Sequence, residues 1–384
     1  MADPADSESI VYQLKLAAAY QAAGDLQEAI AVLEQALADS ERALDEEPLA
    51  TWGVRNNLGA AYREAGEAWR AVPLLERALA DCERTLGDEH PATLIARNSL
   101  ASAYQTAGDT RRAMQLFEQA LSGQERVLGT DDPRTLGTRA NVAQACAAAG
   151  EVQRAIALCE QILADSERVL GADHPDTLIA RNNLAGLLQK IGDTRRAVPL
   201  HEQALADSER LLGGAHPTTL SFRNNLAGAY EDAGDLQRAI PLFEQVLADR
   251  QRVLGPDHPG TLASRHNLAG AYEEAGDLAQ AIPLYEEVLA AQERVLGENH
   301  PDTLASQNNL AADLRRLGDV QAALELDQDT LARRRRILGA DHPRTLASAK
   351  NVAADLERLG DHDAAARLRA ASAALTRPAP PIEI

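Results

Sequence analysis

The sequence predicts an all-α solenoid of about nine antiparallel helix pairs, and three observations predict it. A glycine recurs at Gly24, Gly66, Gly108, Gly150, Gly192, Gly234, Gly276, Gly318 and Gly360, each step being 42 residues. Five residues after each glycine stands an alanine, from Ala29 and Ala71 through to Ala323 and Ala365. A proline keeps the same period from Pro91 to Pro343. Nine copies account for nearly all of the 384 residues, so no separate domain fits beside them. Residues 9–375 form the array, residues 1–8 are expected to be disordered, and residues 376–384 form a Pro-rich tail.

Each copy reads as two helices, as the sixth illustrates. Its first helix runs from about Pro217 to Ala233, with Leu220, Leu226, Ala227 and Tyr230 on one apolar stripe. Gly234 suits the left-handed position that ends a helix, and Asp235 caps the next one through its free N–H groups. The second helix carries Ala239, Ile240, Phe243, Val246, Leu247 and Leu254, and ends at Gly255. Asp257 or His258 caps the helix after that, and Pro259 takes its first position, where a missing N–H does no harm. The recurring alanine lets two helix backbones approach closely at their crossing. The ends look like caps, since solenoid ends need a polar outer face. Copy one has Leu14 and Lys15 where later copies have asparagines. Copy nine has a short second helix with Arg367 and Arg369 in place of apolar residues.

The order Leu-Ala-x-x-Tyr, Gly, Ala, then an apolar residue, resembles the tetratricopeptide repeat. The 42-residue period with His-Pro-x-Thr-Leu, Asn-Asn-Leu-Ala and Glu-Arg-Val-Leu-Gly is similar to the kinesin light chain variety. The Arg-Asn-Asn-Leu-Ala form further resembles bacterial, especially actinobacterial, arrays, which often follow a signalling NTPase domain. The resemblance implies a right-handed superhelix whose first helices line a concave groove. It says little about the partner, because the family binds many different ones.

Composition excludes several functions. The chain carries 38 basic and 58 acidic side chains, a net charge of -20, and only 3% aromatics. A phosphate backbone needs clustered cations, and bases need stacking platforms, so no nucleic-acid partner is expected. No run of 18 apolar residues occurs and the first residues are acidic, so no membrane span or secretory signal is read. Cys82, Cys146 and Cys159 form no disulfide framework. The expected location is the cytoplasm.

The Arg-Asn-Asn triplet of the first helix is the most informative feature. It supplies Asn56, Asn57, Asn98, Asn182, Asn183, Asn224 and Asn225, with Asn141, His266, Asn267, Asn308 and Asn309 in variant copies. At about 100° per residue, Asn224 points roughly 110° from the apolar direction and Asn225 roughly 150°. Both asparagines therefore leave the core of their own copy. An amide both donates and accepts, so such a ladder suits the main chain of a bound peptide. Asn56, Asn98, Asn182, Asn224 and Asn308 are the leading candidates for that contact, and the second asparagines extend the ladder. The alternative for the second asparagine is a bond across the seam between adjacent first helices. The arginine, for instance Arg223, lies within roughly 15° of the apolar direction. A buried guanidinium needs a partner, so acids on second helices, such as Glu202 and Glu209, are expected to pair with it.

Other features read as structural. The loop histidines His90, His174, His216, His258, His300 and His342 recur too far apart to share a metal and fit helix capping. His201 falls where Phe243 and Tyr285 sit in other copies, which predicts a core histidine with a local hydrogen bond; Cys159 shares that phase. Charge at the end of the first helices is uneven. Glu231, Asp232, Glu273 and Glu274 offer an acidic floor, and Arg315, Arg316 and Arg63 basic positions, if they face the groove.

No phosphate-binding loop, nucleophile elbow or His-Glu-x-x-His motif occurs, so neither an enzyme nor a cofactor is predicted. The function expected is noncatalytic binding of a peptide or partner protein in the groove. The alternative is a peptide-responsive sensor acting on a separate signalling NTPase or transcription factor. Self-association through the Pro-rich tail is a further possibility.

Overall fold

The computed structural model describes residues 4–23, 25–43 and 48–375, and every element among them is a helix. Copies one to five hold α1 (Pro4–Ala23) and α2 (Leu26–Ala43), α3 (Pro48–Glu64) and α4 (Ala68–Leu86), α5 (Pro91–Thr106) and α6 (Thr110–Val127), α7 (Pro133–Ala148) and α8 (Val152–Val169), and α9 (Pro175–Lys190) and α10 (Thr194–Leu212). Copies six to nine hold α11 (Pro217–Asp232) and α12 (Leu236–Leu254), α13 (Pro259–Glu274) and α14 (Leu278–Val295), α15 (Pro301–Leu317) and α16 (Val320–Leu338), and α17 (Pro343–Arg358) and α18 (His362–Leu375). The expected all-α array of nine helix pairs is therefore observed among the described residues. Helix α1 starts at Pro4 and so takes in part of the segment expected to precede the array. Gly24 and the tail residues 376–384 lie outside the described residues.

Two compact units divide the chain, Met1–Asp207 and Ser208–Ile384. In the first, each helix from α1 to α9 packs on the next, and the first helices α3, α5 and α7 also touch in succession. In the second, each helix from α11 to α18 packs on the next.

The local chemistry follows the sequence. Gly234 adopts φ 75°, its N–H donates to the Glu231 carbonyl at 2.7 Å, and Asp235 N–H donates to Tyr230 at 2.8 Å. These two bonds satisfy carbonyls left over at the end of α11, and a Cβ would oppose that backbone conformation. The Asp235 carboxylate then accepts from Arg238 N–H at 3.2 Å and starts α12. Nδ1 of His216 accepts from Thr218 N–H at 3.2 Å, and the other five loop histidines cap in the same way. These bonds account for the loop histidines as helix caps.

The core is thin and built on the alanine column. Ala71, Ala113, Ala155 and Ala197 in the first unit, and Ala239, Ala281, Ala323 and Ala365 in the second, are completely buried. In the first unit one cluster runs from Ala17 to Ala155 and includes Leu33, Leu75 and Phe117. Burying each such leucine contributes about 2 kcal/mol. Helix α18 buries only Ala365 and leaves Arg367 and Arg369 exposed.

Candidate partner-binding face

The arginines of the first helices are internal clamps. In the first unit, Arg139 donates to Glu125 at 3.1 Å and to Asp165 at 2.8 Å. Arg181, 1% exposed, donates to Glu167 at 2.8 Å and to Asp207 at 2.9 Å. Arg55 repeats the pattern with Glu41 and Asp81. In the second unit, Arg223 joins Glu209 at 2.6 Å and Asp249 at 3.0 Å. The acids stand 14 residues before and 26 after each arginine, so one guanidinium ties the preceding copy's second helix to its own. Where the letters change, so does the clamp. Arg97 meets Glu83 but finds Gly123 in place of the second acid. Arg265 finds Gln251 and Ala291, and pairs instead with Glu287 at 2.9 Å.

The asparagines form rungs between copies. In the first unit Asn141 Nδ2 donates to Asn98 Oδ1 at 3.2 Å, and in the second Asn267 Nδ2 donates to Asn224 Oδ1 at 3.1 Å. Each rung joins the first asparagine of one copy to the second asparagine of the next, 43 residues on. Asn182 Oδ1 faces His201 Nδ1 at 3.0 Å, within its own copy. Asn308, with its amide oxygen turned towards Arg334, accepts from that guanidinium at 2.6 and 2.9 Å and donates to Asp327 at 3.1 Å. Oδ1 of Asn56 is buried without a partner; Ser99 stands at its rung position and is too short.

Accessibility does not single out the first asparagines that the sequence favours. Asn56, Asn98, Asn182, Asn224 and Asn308 are half-buried, as are Asn141, Asn225 and Asn267. Asn57, Asn183 and Asn309 are exposed. Each of these three has a residue other than asparagine 43 positions earlier: Leu14, Ala140 and His266. An amide with no rung to make stays in solvent. His266 is itself exposed, its ring 5.4 Å from that of Tyr285, edge to face.

The charged positions also differ from expectation. Arg315 lies between the fully buried carboxylates of Asp327, at 2.5 Å, and Asp355. Arg316 pairs with Glu273 and with Asp313, the latter at 3.1 Å. Copy eight thus presents no basic floor: both guanidinium groups are neutralised by acids of the solenoid. Arg63 is exposed and makes no ion pair among the described residues. Asp232 and Glu274 are exposed. Glu231 is half-buried, and burial with Glu274 and Asp232 nearby pushes its carboxyl up to about 7. Tyr285 OH donates to Glu273 at 3.2 Å.

His201 is fully buried, and burial drives its imidazole down to about 4, so it is neutral in the core. Cys159 is likewise buried, its thiol raised to about 11. Sequence reasoning missed Asp313, Asp327, Asp355 and Arg334. The signal was available: Asp327 stands in the column of Leu75, Phe117, Phe243 and Tyr285, where an acid breaks the apolar pattern.

Among the described residues, no helix is long and apolar enough to cross a membrane. No curated protein matches the chain. Among solved structures, nearly identical repeats of a putative kinesin light chain from Podosopora anserina are 37% identical over 54% of this chain and 98% of that one, at TM-score 0.48. BtubC (BKLC) from P. vanneervenii is 25% identical over 61% of this chain and 94% of its own, at TM-score 0.52. A signal transduction ATPase with a tetratricopeptide repeat sensor from Pyrococcus horikoshii is 12% identical, covering 97% of this chain and 53% of that one, at TM-score 0.64. The tetratricopeptide repeat model matches residues 8–83, 51–126, 131–210, 217–294, 265–336 and 302–375. With that match resting on the helix pairs, the alanine crossings and the glycine turns described above, the chain belongs to the tetratricopeptide repeat family.

Proposed function

We propose that the chain is a noncatalytic protein-interaction module that binds an extended peptide or partner segment along the face of its first helices. The observation that carries this reading is the set of exposed amides at Asn57, Asn183 and Asn309. They stand where the stack makes no rung and, beside the first two, Arg55 and Arg181 are engaged in internal ion pairs. An uncharged donor and acceptor on the exposed face of a first helix suits the main chain of a ligand without demanding one side-chain sequence. The half-buried asparagines Asn98 and Asn224 hold the helices in register for that contact. The acids Glu231, Asp232 and Glu274 favour a ligand that carries positive charge at copies six and seven.

A peptide library displayed on phage and selected on the full chain tests this. The triple variant Asn57→Ala, Asn183→Ala, Asn309→Ala should lose at least ~10-fold in affinity for the selected peptides, since each lost hydrogen bond costs about 1 kcal/mol. Its melting temperature should not move. Peptides that bind the variant as tightly as the parent would refute the reading.

The second reading is a peptide-responsive sensor acting on a separate signalling protein. The favouring observation is that the Pyrococcus horikoshii protein uses such repeats as a sensor within an ATPase. Small-angle scattering with a selected peptide decides it; an unchanged radius of gyration rules out a ligand-driven change of shape.

A further inference from the structure

Between the second helices of copies one and two, α2 and α4, the first unit holds a cleft of about 490 Å³. Leu37 and Ala38 line it from α2, Leu58 and Tyr62 from α3, and Pro73 and Leu74 from α4. Most of its rim is charge-balanced. Glu34 accepts from Tyr62 OH at 2.6 Å and from Arg70 at 2.6 Å, and Glu41 pairs with Arg55 at 3.0 Å. Arg77, also at the rim, is exposed and makes no ion pair among the described residues.

Trp69 is 76% exposed, the most exposed large apolar side chain described. At its position the later copies carry Arg111, Gln153, Arg195, Gln237, Ala279, Gln321 and Asp363, so the repeat does not need an indole there. Trp69, Pro73 and Arg77 follow one another at four-residue spacing and share one face of α4. An exposed indole beside an apolar cleft and an unpaired guanidinium is the composition of a contact surface rather than of a solvated helix.

We propose that this cleft binds the Pro-rich segment of a second copy of the chain, residues 377–384. That segment reads Arg-Pro-Ala-Pro-Pro-Ile-Glu-Ile. Prolines hold an extended polyproline conformation at little entropic cost and dock against aromatic side chains. Pro380 and Pro381 supply rings for Trp69, Ile382 supplies an apolar side chain for Leu37, Leu58 and Leu74, and Glu383 supplies the carboxylate that Arg77 lacks. The dimensions agree. From Trp69 to Arg77 a helix rises ~12 Å, and from Pro380 to Glu383 a polyproline segment spans ~9 Å, a gap the long side chains close. Cleft and segment are different surfaces, so the contact is heterologous and joins one copy to the next.

Sedimentation velocity on the full chain across about 1–100 µM tests the proposal, a window that brackets micromolar self-affinity. The mass should rise with concentration. Trp69→Ala, Arg77→Glu and Glu383→Arg should each weaken the association about 10-fold or more. Arg77→Glu combined with Glu383→Arg in one chain should restore it. All three positions lie on exposed sites or outside the described helices, so helicity by circular dichroism should be unchanged. The triple asparagine variant should associate normally, which separates this contact from the peptide face. A constant monomer mass at every concentration overturns the proposal, and so does a charge swap that fails to restore association.

Discussion

Copies four and eight solve the same packing problem in different ways. In copy four, Arg139 on the first helix reaches two carboxylates on second helices, Glu125 and Asp165, each still partly in water. In copy eight the corresponding residue is Gln307, which bonds Asp329 at 3.2 Å and Thr330 at 3.1 Å. The charge has moved deeper. Arg315, Asp327 and Asp355 meet where copy six and its successor carry Glu231, Phe243 and Ala271. The difference teaches that the repeat constrains geometry more tightly than chemistry. A guanidinium flanked by two acids recurs, but one version sits at a hydrated seam and the other inside the stack.

The two versions should respond very differently to loss of the cation. Replacing Arg315 with Met leaves Asp327, fully buried, without its ion-pair partner, and leaves the fully buried Asp355 with only Arg358 at 3.9 Å. Breaking a buried pair in this way costs about 3–5 kcal/mol. Replacing Arg181 with Met leaves Glu167, 44% exposed, and Asp207, 20% exposed, both able to hydrate. The expected cost there is about 1–2 kcal/mol. Urea unfolding of the two variants measures both. Equal losses would show that the buried and hydrated clamps are energetically alike, and the contrast would fail.

A second contrast is pH. Burial raises the carboxyl of Asp327 even beside Arg315, and Glu231 titrates at about 7. A group whose folded pKa lies above its unfolded value favours the folded state at low pH. That contribution fades as pH rises through the folded pKa. In the first unit, Arg168 holds Asp131 below the usual carboxylate range, and Arg134 does the same for Asp132. Their contribution is present at neutral pH and lost only in acid. Raising the pH from 5.5 to 8 should therefore cost the second unit stability, whereas the first should gain: His201, buried with its imidazole down at about 4, is neutral in the fold throughout, and the unfolded chain's histidine gives up its proton over this range. After allowance for partial exposure, the share of Glu231 is about 1–2 kcal/mol. Hydrogen exchange read copy by copy at the two pH values measures it, and Glu231→Gln should flatten the change in copies six and seven. A second unit that gained stability with pH as the first does would remove the basis for this contrast.

Most of the architecture was legible in the sequence because the period is strict. Gly234, the alanine column and the histidine caps each occupy a position where backbone geometry admits few residue types, so recurrence reads directly as structure. Arg223 was placed correctly because a buried cation demands an acid within reach. The asparagines were harder. Their helical angles are set within one copy, but their hydrogen bonds run to the next, and a single-helix projection carries no information about the neighbour's register. The 43-residue rung spacing needs two copies superposed in space. The buried acids of copy eight were visible only as exceptions to a column, and exceptions do not reveal which cation answers them.

The smallest contrast lies within the asparagines themselves. Asn224 and Asn183 occupy adjacent positions in the triplet, and both look polar and solvent-directed on a helical wheel. Asn224 is half-buried and accepts the rung from Asn267, whereas Asn183 is exposed and has Ala140 at its rung position. Asn224→Ala removes an acceptor and leaves the Asn267 amide short of a partner in a part-buried seam, which costs about 1 kcal/mol. Asn183→Ala removes no internal bond and should stay within about 0.5 kcal/mol of the parent. Restoring the missing rung gives the reciprocal test: Ala140→Asn offers Asn183 an acceptor 43 residues earlier and should stabilise the first unit by up to about 1 kcal/mol. It should also withdraw Asn183 from any ligand. A variant that gains stability while losing affinity for selected peptides would show that one amide serves either the stack or the partner, and that the gaps in the ladder are where binding occurs.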